Sequence, residues 1–318
     1  MARLDGAAGD EGDADPREGV NAEPDHLPPR LWWVLAGLTF AWGFNWTAMK
    51  MALSEIPPWT FRSCCLGLGS AVLFAVLRAG GQPLALPRGQ WTRLAVLAFF
   101  NITLWNVLIA FGLTMIPSGR AAILAFTMPA WAIPLSMWLL GERITAQKAI
   151  GLALGMGGLA LLLGDSIAHL GAAPLGSLLI LGAAISWAFG AVLQKRYPMK
   201  MPAGAYTAWI MLFGGMPIFL CAVLFDDWSA LTRVSLRPAL GLTYNVLIAF
   251  AFAHWAWIKI ATSVPVTVFS LSMAMIPVVG VFSGMLALGE RPTWAEYAAL
   301  VLVLGSLVSV VLPARQVR

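Results

Sequence analysis

Charged side chains are scarce in this chain: Asp, Glu, Lys and Arg make up only 11% of its 318 residues, while 59% are hydrophobic, against about a quarter charged in soluble domains. An ordinary soluble enzyme is excluded. The net charge of +5 and the pI near 9.4 are sums over two sides of a membrane, so no nucleic-acid partner is implied. Cysteine is rare as well. Cys64, Cys65 and Cys221 lie inside apolar runs with no partner at metal-ligand spacing, and they read as bland, lipid-buried thiols. Neither Gly-x-x-x-x-Gly-Lys-Ser/Thr nor His-Glu-x-x-His occurs, so ATP drive and a zincin site lack support, and no cofactor or metal is called for. No Asp or Glu falls in the middle of a predicted span. A carboxylate there costs roughly 2.5 to 3.5 kcal/mol and is kept where protons or cations must be bound, so a cationic-drug/proton antiporter is disfavoured. Deep Lys and Arg are missing too, which leaves no clamp for a phosphate-rich nucleotide sugar.

What the chain has instead is ten apolar runs, at 31–50, 58–78, 92–113, 118–140, 147–163, 174–194, 203–225, 238–260, 265–288 and 293–312. Each is long enough to cross about 30 Å of hydrocarbon as a helix, the form that satisfies its own backbone hydrogen bonds in lipid. The expectation is an all-α polytopic membrane protein of ten transmembrane helices. Residues 1–30 carry eight acidic side chains among Gly, Ala and Pro and predict a disordered cytoplasmic tail. With the N-terminus inside, Lys and Arg divide fourteen to six in favour of the inner segments. That predicts both termini in the cytoplasm, and a bacterial inner membrane is the expected location.

The runs form two related sets of five. Leu140-Gly141-Glu142-Arg143 recurs 148 residues later as Leu288-Gly289-Glu290-Arg291, and the same offset pairs Pro117 with Pro265, Pro129 with Pro277 and Thr145 with Thr293. Between Met128 and Gly164, 11 of 37 positions are identical at this offset. Because each unit has an odd number of spans, the second is expected upside down relative to the first. Inverted repeats of this kind mark secondary transporters, whose site lies at mid-membrane between the halves.

Ala41-Trp42-Gly43-x-Asn45 in the first run, Pro129 with Leu140-Gly141-Glu142-Arg143 and Thr145 at the end of the fourth, and Ser186-Trp187-Ala188 with Pro277 and Leu288-Gly289-Glu290-Arg291 in the second set resemble the drug/metabolite transporter superfamily, in its EamA-type branch. The resemblance runs from about 31 to 312, as one five-helix repeat at 31–164 and a second at 174–312. It implies that fold and alternating access. The Trp-rich helices are closer to the YddG-like exporters, which implies export of aromatic and other neutral amino acids.

The candidate cavity residues follow from facing. Trp42, Asn45, Trp46 and Met49 fall at i, i+3, i+4 and i+7, so one face carries two indoles and an amide. They either wall a substrate cavity or pack against neighbouring helices, with Asn45 bonding across an interface. Trp32, Trp33, Trp59, Trp91, Trp138, Trp228 and Trp294 lie near span ends and read as interfacial belts. Of the deeper indoles, Trp42, Trp46, Trp105, Trp187 and Trp255 are assigned to the cavity, while Trp131, Trp209 and Trp257 fit packing equally well. Asn101 and Trp105 share a face; Asn106 points elsewhere and matches His254 at the repeat offset. Tyr244 and Trp255, eleven apart, return to one face of a regular helix. His254 reads either as a hydrogen-bonded structural residue or as a substrate or proton site. Pro129, Pro134 and Pro277 bend their helices, as gates or as fixed kinks. Glu142-Arg143 and Glu290-Arg291 read as helix ends with interfacial ion pairs, and Lys50, Arg120 and Lys259 as cations that snorkel to headgroups.

The resulting expectation is a carrier for a neutral or zwitterionic small molecule, most simply an amino acid, working as a monomer in the lipid bilayer. Other metabolites or drugs, an intramembrane enzyme using Glu142 or Glu290 with His254, and a channel are the competing readings. The enzyme fails on depth, since those carboxylates are predicted at the surface and the histidine inside.

Overall fold

The computed structural model describes residues 29–168, 173–261 and 272–311; the acidic tail before them, Pro265 and the Lys259 side chain lie outside the described parts. Among the described residues every regular element is helical. Helices α1 (Pro29–Ala52), α2 (Pro58–Ala79), α3 (Trp91–Met115), α4 (Ser118–Leu140) and α5 (Ala146–Ala168) are followed by α6 (Ala173–Arg196) and α7 (Ala203–Phe225). Then come α8, built from Leu236–Tyr244, Asn245–Phe252 and Ala253–Ala261, α9 (Ile276–Leu288) and α10 (Trp294–Val311). Seven of them, α2 to α8, are long and apolar enough to cross a bilayer. Helix α1 has the length, but Trp32, Trp33, Trp42, Trp46, Asn45 and Lys50 dilute its hydropathy.

Proline and glycine set many of the boundaries. Pro57, Pro117 and Pro202 precede α2, α4 and α7 with extended ψ, which releases the chain into a helix one residue later. At the other end of α4 and α9, Gly141 and Gly289 take φ of +67° and +69°, a left-handed cap open to glycine. These two glycines are the same position in the two halves. So are two irregularities that the apolar pattern did not announce. Helix α3 widens to a π-helix over Phe99–Leu104, and α8 does so over Asn245–Phe252. Helix α4 breaks at Phe126 and Thr127, just before Pro129, and α9 begins after Met275, just before Pro277.

Packing follows the same exchange of halves. Helix α1 packs on α8 and α9, while α6 packs on α3 and α4; α2 packs on α7 and α5 on α10. The last two pairs are antiparallel. Along α5 and α10, Gln147 donates to the Ser309 carbonyl and Ser306 to that of Gly151, while Gly158 lies against Val303. Along α2 and α7, Thr60 meets Asp226 and Phe74 meets Trp209. Large apolar side chains such as Leu68, Phe219, Leu224 and Leu286 point outward, as expected where lipid is the solvent.

Small residues let the helices approach closely. A Cβ on Gly43 would overlap the Val279 side chain and come within 3.2 Å of the Ile276 carbonyl, so the Trp-Gly-x-Asn motif needs glycine where α1 crosses α9. Gly67 has nothing within 4 Å. Gly43→Ala is therefore expected to cost about 1 to 3 kcal/mol through overpacking, read as a lower melting temperature in detergent. Gly67→Ala serves as the neutral reference; equal behaviour of the two variants would refute the close crossing.

Candidate functional site

The face of α1 that carries the two indoles turns into the bundle. Trp42 donates from Nε1 to the Ala249 carbonyl at 3.1 Å, sets its ring edge to His254 at 5.7 Å between centroids, and tilts on Trp257 at 5.3 Å. Trp46 is buried beside Gly280 of α9. Between them the Asn45 Oδ1 is buried and accepts no hydrogen bond. One turn further, Met49 Sδ accepts from the Arg62 guanidinium at 2.9 Å.

A second cluster forms between α3 and α6. Trp105 and Trp187 lie 5.0 Å apart, and Asn101 sits against Gly190 with its own Oδ1 buried and unpartnered. Asn101 and Trp105 thus share a face, the one turned to α6. Asn106 and His254 do the same job in their two halves: the Asn106 Nδ2 donates to the Ile102 carbonyl at 2.8 Å and the His254 Nδ1 to the Phe250 carbonyl at 2.9 Å. Since a carbonyl only accepts, the histidine proton sits on Nδ1. Both side chains satisfy backbone that the π-helices leave displaced.

The π-helix also overturns one expectation. Eleven residues are about three turns of a regular helix, but the wide turns of Asn245–Phe252 rotate the register, and Tyr244 and Trp255 part company. Tyr244 donates to the Ala41 carbonyl at 2.9 Å, whereas Trp255 is 37% exposed with its ring on Phe252. Tyr244 lines an open groove of about 750 Å³ between α1, α8 and α9, otherwise walled by side chains such as Phe40, Phe44, Val279 and Phe282. Phe40 and Phe282 in its wall are both exposed. The proline expectation changes as well. Pro129 and Pro277 stand in the first turn after a helix break, where a missing N–H costs nothing, and of these three prolines Pro134 alone lies within a helix.

The family models place these features. The model of the EamA-like transporter family matches residues 31–164 and again 174–312. The chain belongs to the EamA-like transporter family. It is 24% identical over 260 residues to the uncharacterized transporter YoaV of Bacillus subtilis (strain 168), covering 81% of this chain and 89% of that one. It is 26% identical over 275 residues to a probable amino-acid metabolite efflux pump of Escherichia coli (strain K12), covering 84% and 89%. A crystal structure described only as that of a protein shares the fold, with a TM-score of 0.62 over 87% of this chain and 95% of that one at 22% identity.

Like its relatives by name, then, this EamA-like protein is a transporter in a membrane. Sequence reasoning missed how it treats charge at the end of the bundle where α1 finishes. Lys50 and Arg120 do not snorkel. Lys50 donates to the Leu113 and Ile116 carbonyls, the exposed negative end of α3. Arg120, 7% exposed, pairs with Asp165 and with Glu296 at 2.6 Å. Nor do the repeated glutamates pair with the arginines next to them. Glu290 accepts from the Ser118 and Gly119 N–H groups at 2.7 and 3.1 Å and so caps α4 from α9. Asp226 likewise takes the Thr60 N–H of α2, and Glu55 the Ser235 N–H at the start of α8. Arg62, one turn into α2, is buried too.

At the opposite end Glu142 accepts from Lys148 of α5 and Lys195 of α6 at 2.8 and 2.5 Å, and these bonds hold its carboxyl at about 2. Folding lowers this pKa, so the stabilisation is whole above the ordinary 4.5 and is lost as pH falls through about 2. The melting-temperature gap between wild type and Glu142→Gln is expected to narrow steadily once pH drops below that upper value. A gap that stays constant down to pH of about 2 would mean that the two lysines do not act on this carboxylate.

Proposed function

We propose that this chain is a ten-helix secondary transporter of two inverted five-helix repeats, 31–164 and 174–312, with both termini in the cytoplasm. In this reading it exports small neutral or zwitterionic metabolites, above all aromatic and apolar amino acids, across the bacterial inner membrane by alternating access. Support for the inversion comes from the antiparallel pairs α2 with α7 and α5 with α10, since each joins equivalent helices of the two halves. The Lys and Arg bias supports the orientation.

One observation carries the substrate reading. Three amide oxygens among the described residues, on Asn45, Asn101 and Asn245, are buried without a partner, each in the same helix as an indole that pairs with another indole across the bundle. A buried acceptor left bare costs about 1 to 3 kcal/mol, and it is retained where a ligand donor fills it. The indoles Trp42, Trp46, Trp105 and Trp187 offer apolar faces to a substrate side chain. Asn106, Tyr244 and His254 already serve backbone carbonyls and would touch substrate only by exchanging those bonds. Trp255 belongs to this set only if α8 rotates. The breaks before Pro129 and Pro277, with the kink at Pro134, are the flexures that opening would use. The relative named a probable amino-acid metabolite efflux pump points to the same chemistry.

The test is counterflow of labelled phenylalanine in proteoliposomes, with and without a pH gradient. Saturable counterflow is expected, and Trp42→Ala should lower it about tenfold, the loss of roughly one aromatic contact and one hydrogen bond, while membrane insertion stays intact. Non-saturable flux would make it a channel, and an unimpaired variant would remove Trp42 from the wall.

A further inference from the structure

Arg62 sits one turn into α2 with 3% of its surface exposed, next to the fully buried Phe61 and Cys65. Its hydrogen bonding is poor. Nη2 donates to the Met49 thioether at 2.9 Å, a weak acceptor, and the guanidinium carbon lies 5.2 Å from the Phe61 ring centroid. Nε is buried with no partner, and so is the hydroxyl of the adjacent Ser63. No described carboxylate forms an ion pair with Arg62.

Its neighbours at the same end are treated otherwise. Arg120 is as deeply buried and is held by two carboxylates, and Lys50 is held by two carbonyls at a helix C-terminus. A guanidinium taken out of water without an anion costs several kcal/mol. The fold evidently has the means to neutralise such a charge and leaves this one open.

Its place suggests what closes it. Met49, which Arg62 touches, continues the α1 face that carries Trp42, Asn45 and Trp46, and the bare Asn45 oxygen lies one turn from Met49. We infer that Arg62 anchors the carboxylate of the transported molecule, so that the substrate class is amphipathic carboxylic acids rather than amines or alcohols. The planar fork of the guanidinium matches a carboxylate with two parallel bonds. A zwitterion bound there directs its ammonium to the Asn45 oxygen and its side chain to the indoles. This rests on the α1 face being the cavity wall proposed above.

Two measurements separate the two ideas. In the first, purified full-length protein in detergent is melted with phenylacetate or with phenylacetamide, which has the same shape without the charge. Phenylacetate is expected to stabilise the wild type and phenylacetamide to do so at least about tenfold less well by concentration, the worth of one charged hydrogen-bonded contact. Arg62→Gln should erase that preference and Arg62→Lys, which keeps charge without the fork, should reduce it. Without ligand, Arg62→Gln should melt no lower than wild type, because removing an unpaired buried charge relieves desolvation. A marked drop would make Arg62 a structural residue and overturn the inference, as would equal stabilisation of wild type and Arg62→Gln by phenylacetate. In the second, wild type and Arg62→Gln are compared for labelled phenylalanine counterflow. Wild-type flux that Arg62→Gln leaves intact overturns the anchor and spares the amino acid carrier. No flux in wild type, with Arg62-dependent stabilisation by phenylacetate, overturns the amino acid reading and upholds the anchor.

Discussion

In hydrocarbon a backbone N–H or C=O has no water to turn to, so every departure from a regular helix must be repaired from within the protein. This chain departs repeatedly, by π-helices in α3 and α8 and by breaks before Pro129 and Pro277. Its interior polar side chains are largely the repairs. Asn106 and His254 serve the carbonyls of Ile102 and Phe250, Trp42 serves Ala249, Ser186 serves Phe100, and Thr127 serves Leu124 at the break in α4. A polar residue inside this bundle is therefore not by itself a mark of a binding site. The ones that stand out are those with an atom left over, which among the described residues are Asn45, Arg62, Ser63, Asn101, Trp131 and Asn245.

Helix ends obey the same constraint, and at one end of the bundle carboxylates meet it. Asp226, Glu290 and Glu55 reach the first N–H groups of α2, α4 and α8 from distant loops, while Thr293 and Glu296 form a capping box on α10 itself. Each of the first three ties a helix start to another part of the chain, 166 to 180 residues away. These contacts hold the end together by charge-assisted bonds rather than by apolar contact alone. Such bonds exchange readily for water, whereas the tight glycine crossings deeper in the bundle do not. In the alternating-access reading proposed above, opening at this end would proceed by parting caps, with the α1–α9 crossing as a fixed point.

Much of this was legible in the residues. The apolar runs fall on helices wherever their residues are described, the ninth from 272 onward, and the offset of 148 finds equivalent positions that carry equivalent backbone irregularities. The π-helices were not legible, because a local widening changes the phase of a helix without changing its hydrophobicity; that is why Tyr244 and Trp255 were placed together and are not. Lys50 and Arg120 depart from the snorkelling expectation for a related reason. Distance from a span end is readable in sequence, but whether a side chain there turns to headgroups or to a neighbouring helix depends on packing. The caps made by Glu290 and Asp226 were hidden by sequence separation, although carboxylates just beyond apolar runs were the available signal.

The duplication finally separates what the scaffold needs from what a ligand needs. Positions that do the same work in both halves concern the backbone: Gly141 and Gly289 end helices, Pro129 and Pro277 restart them, Asn106 and His254 mend π-helices. Positions carrying a spare polar atom have apolar counterparts, with Leu193 opposite Asn45, Ile210 opposite Arg62 and Ala249 opposite Asn101. Volume is traded at the same places. Trp42 of α1 lies over the small Ala249 of α8, and in the other half the roles reverse, with Asn101 of α3 against Gly190 of α6. A symmetric frame with unsymmetric polar chemistry suits a ligand that has no symmetry of its own, charged at one end and apolar at the other. Had the two copies kept matching polar atoms, the bound molecule would be offered two equivalent poses; with one guanidinium at one end it is offered a single orientation.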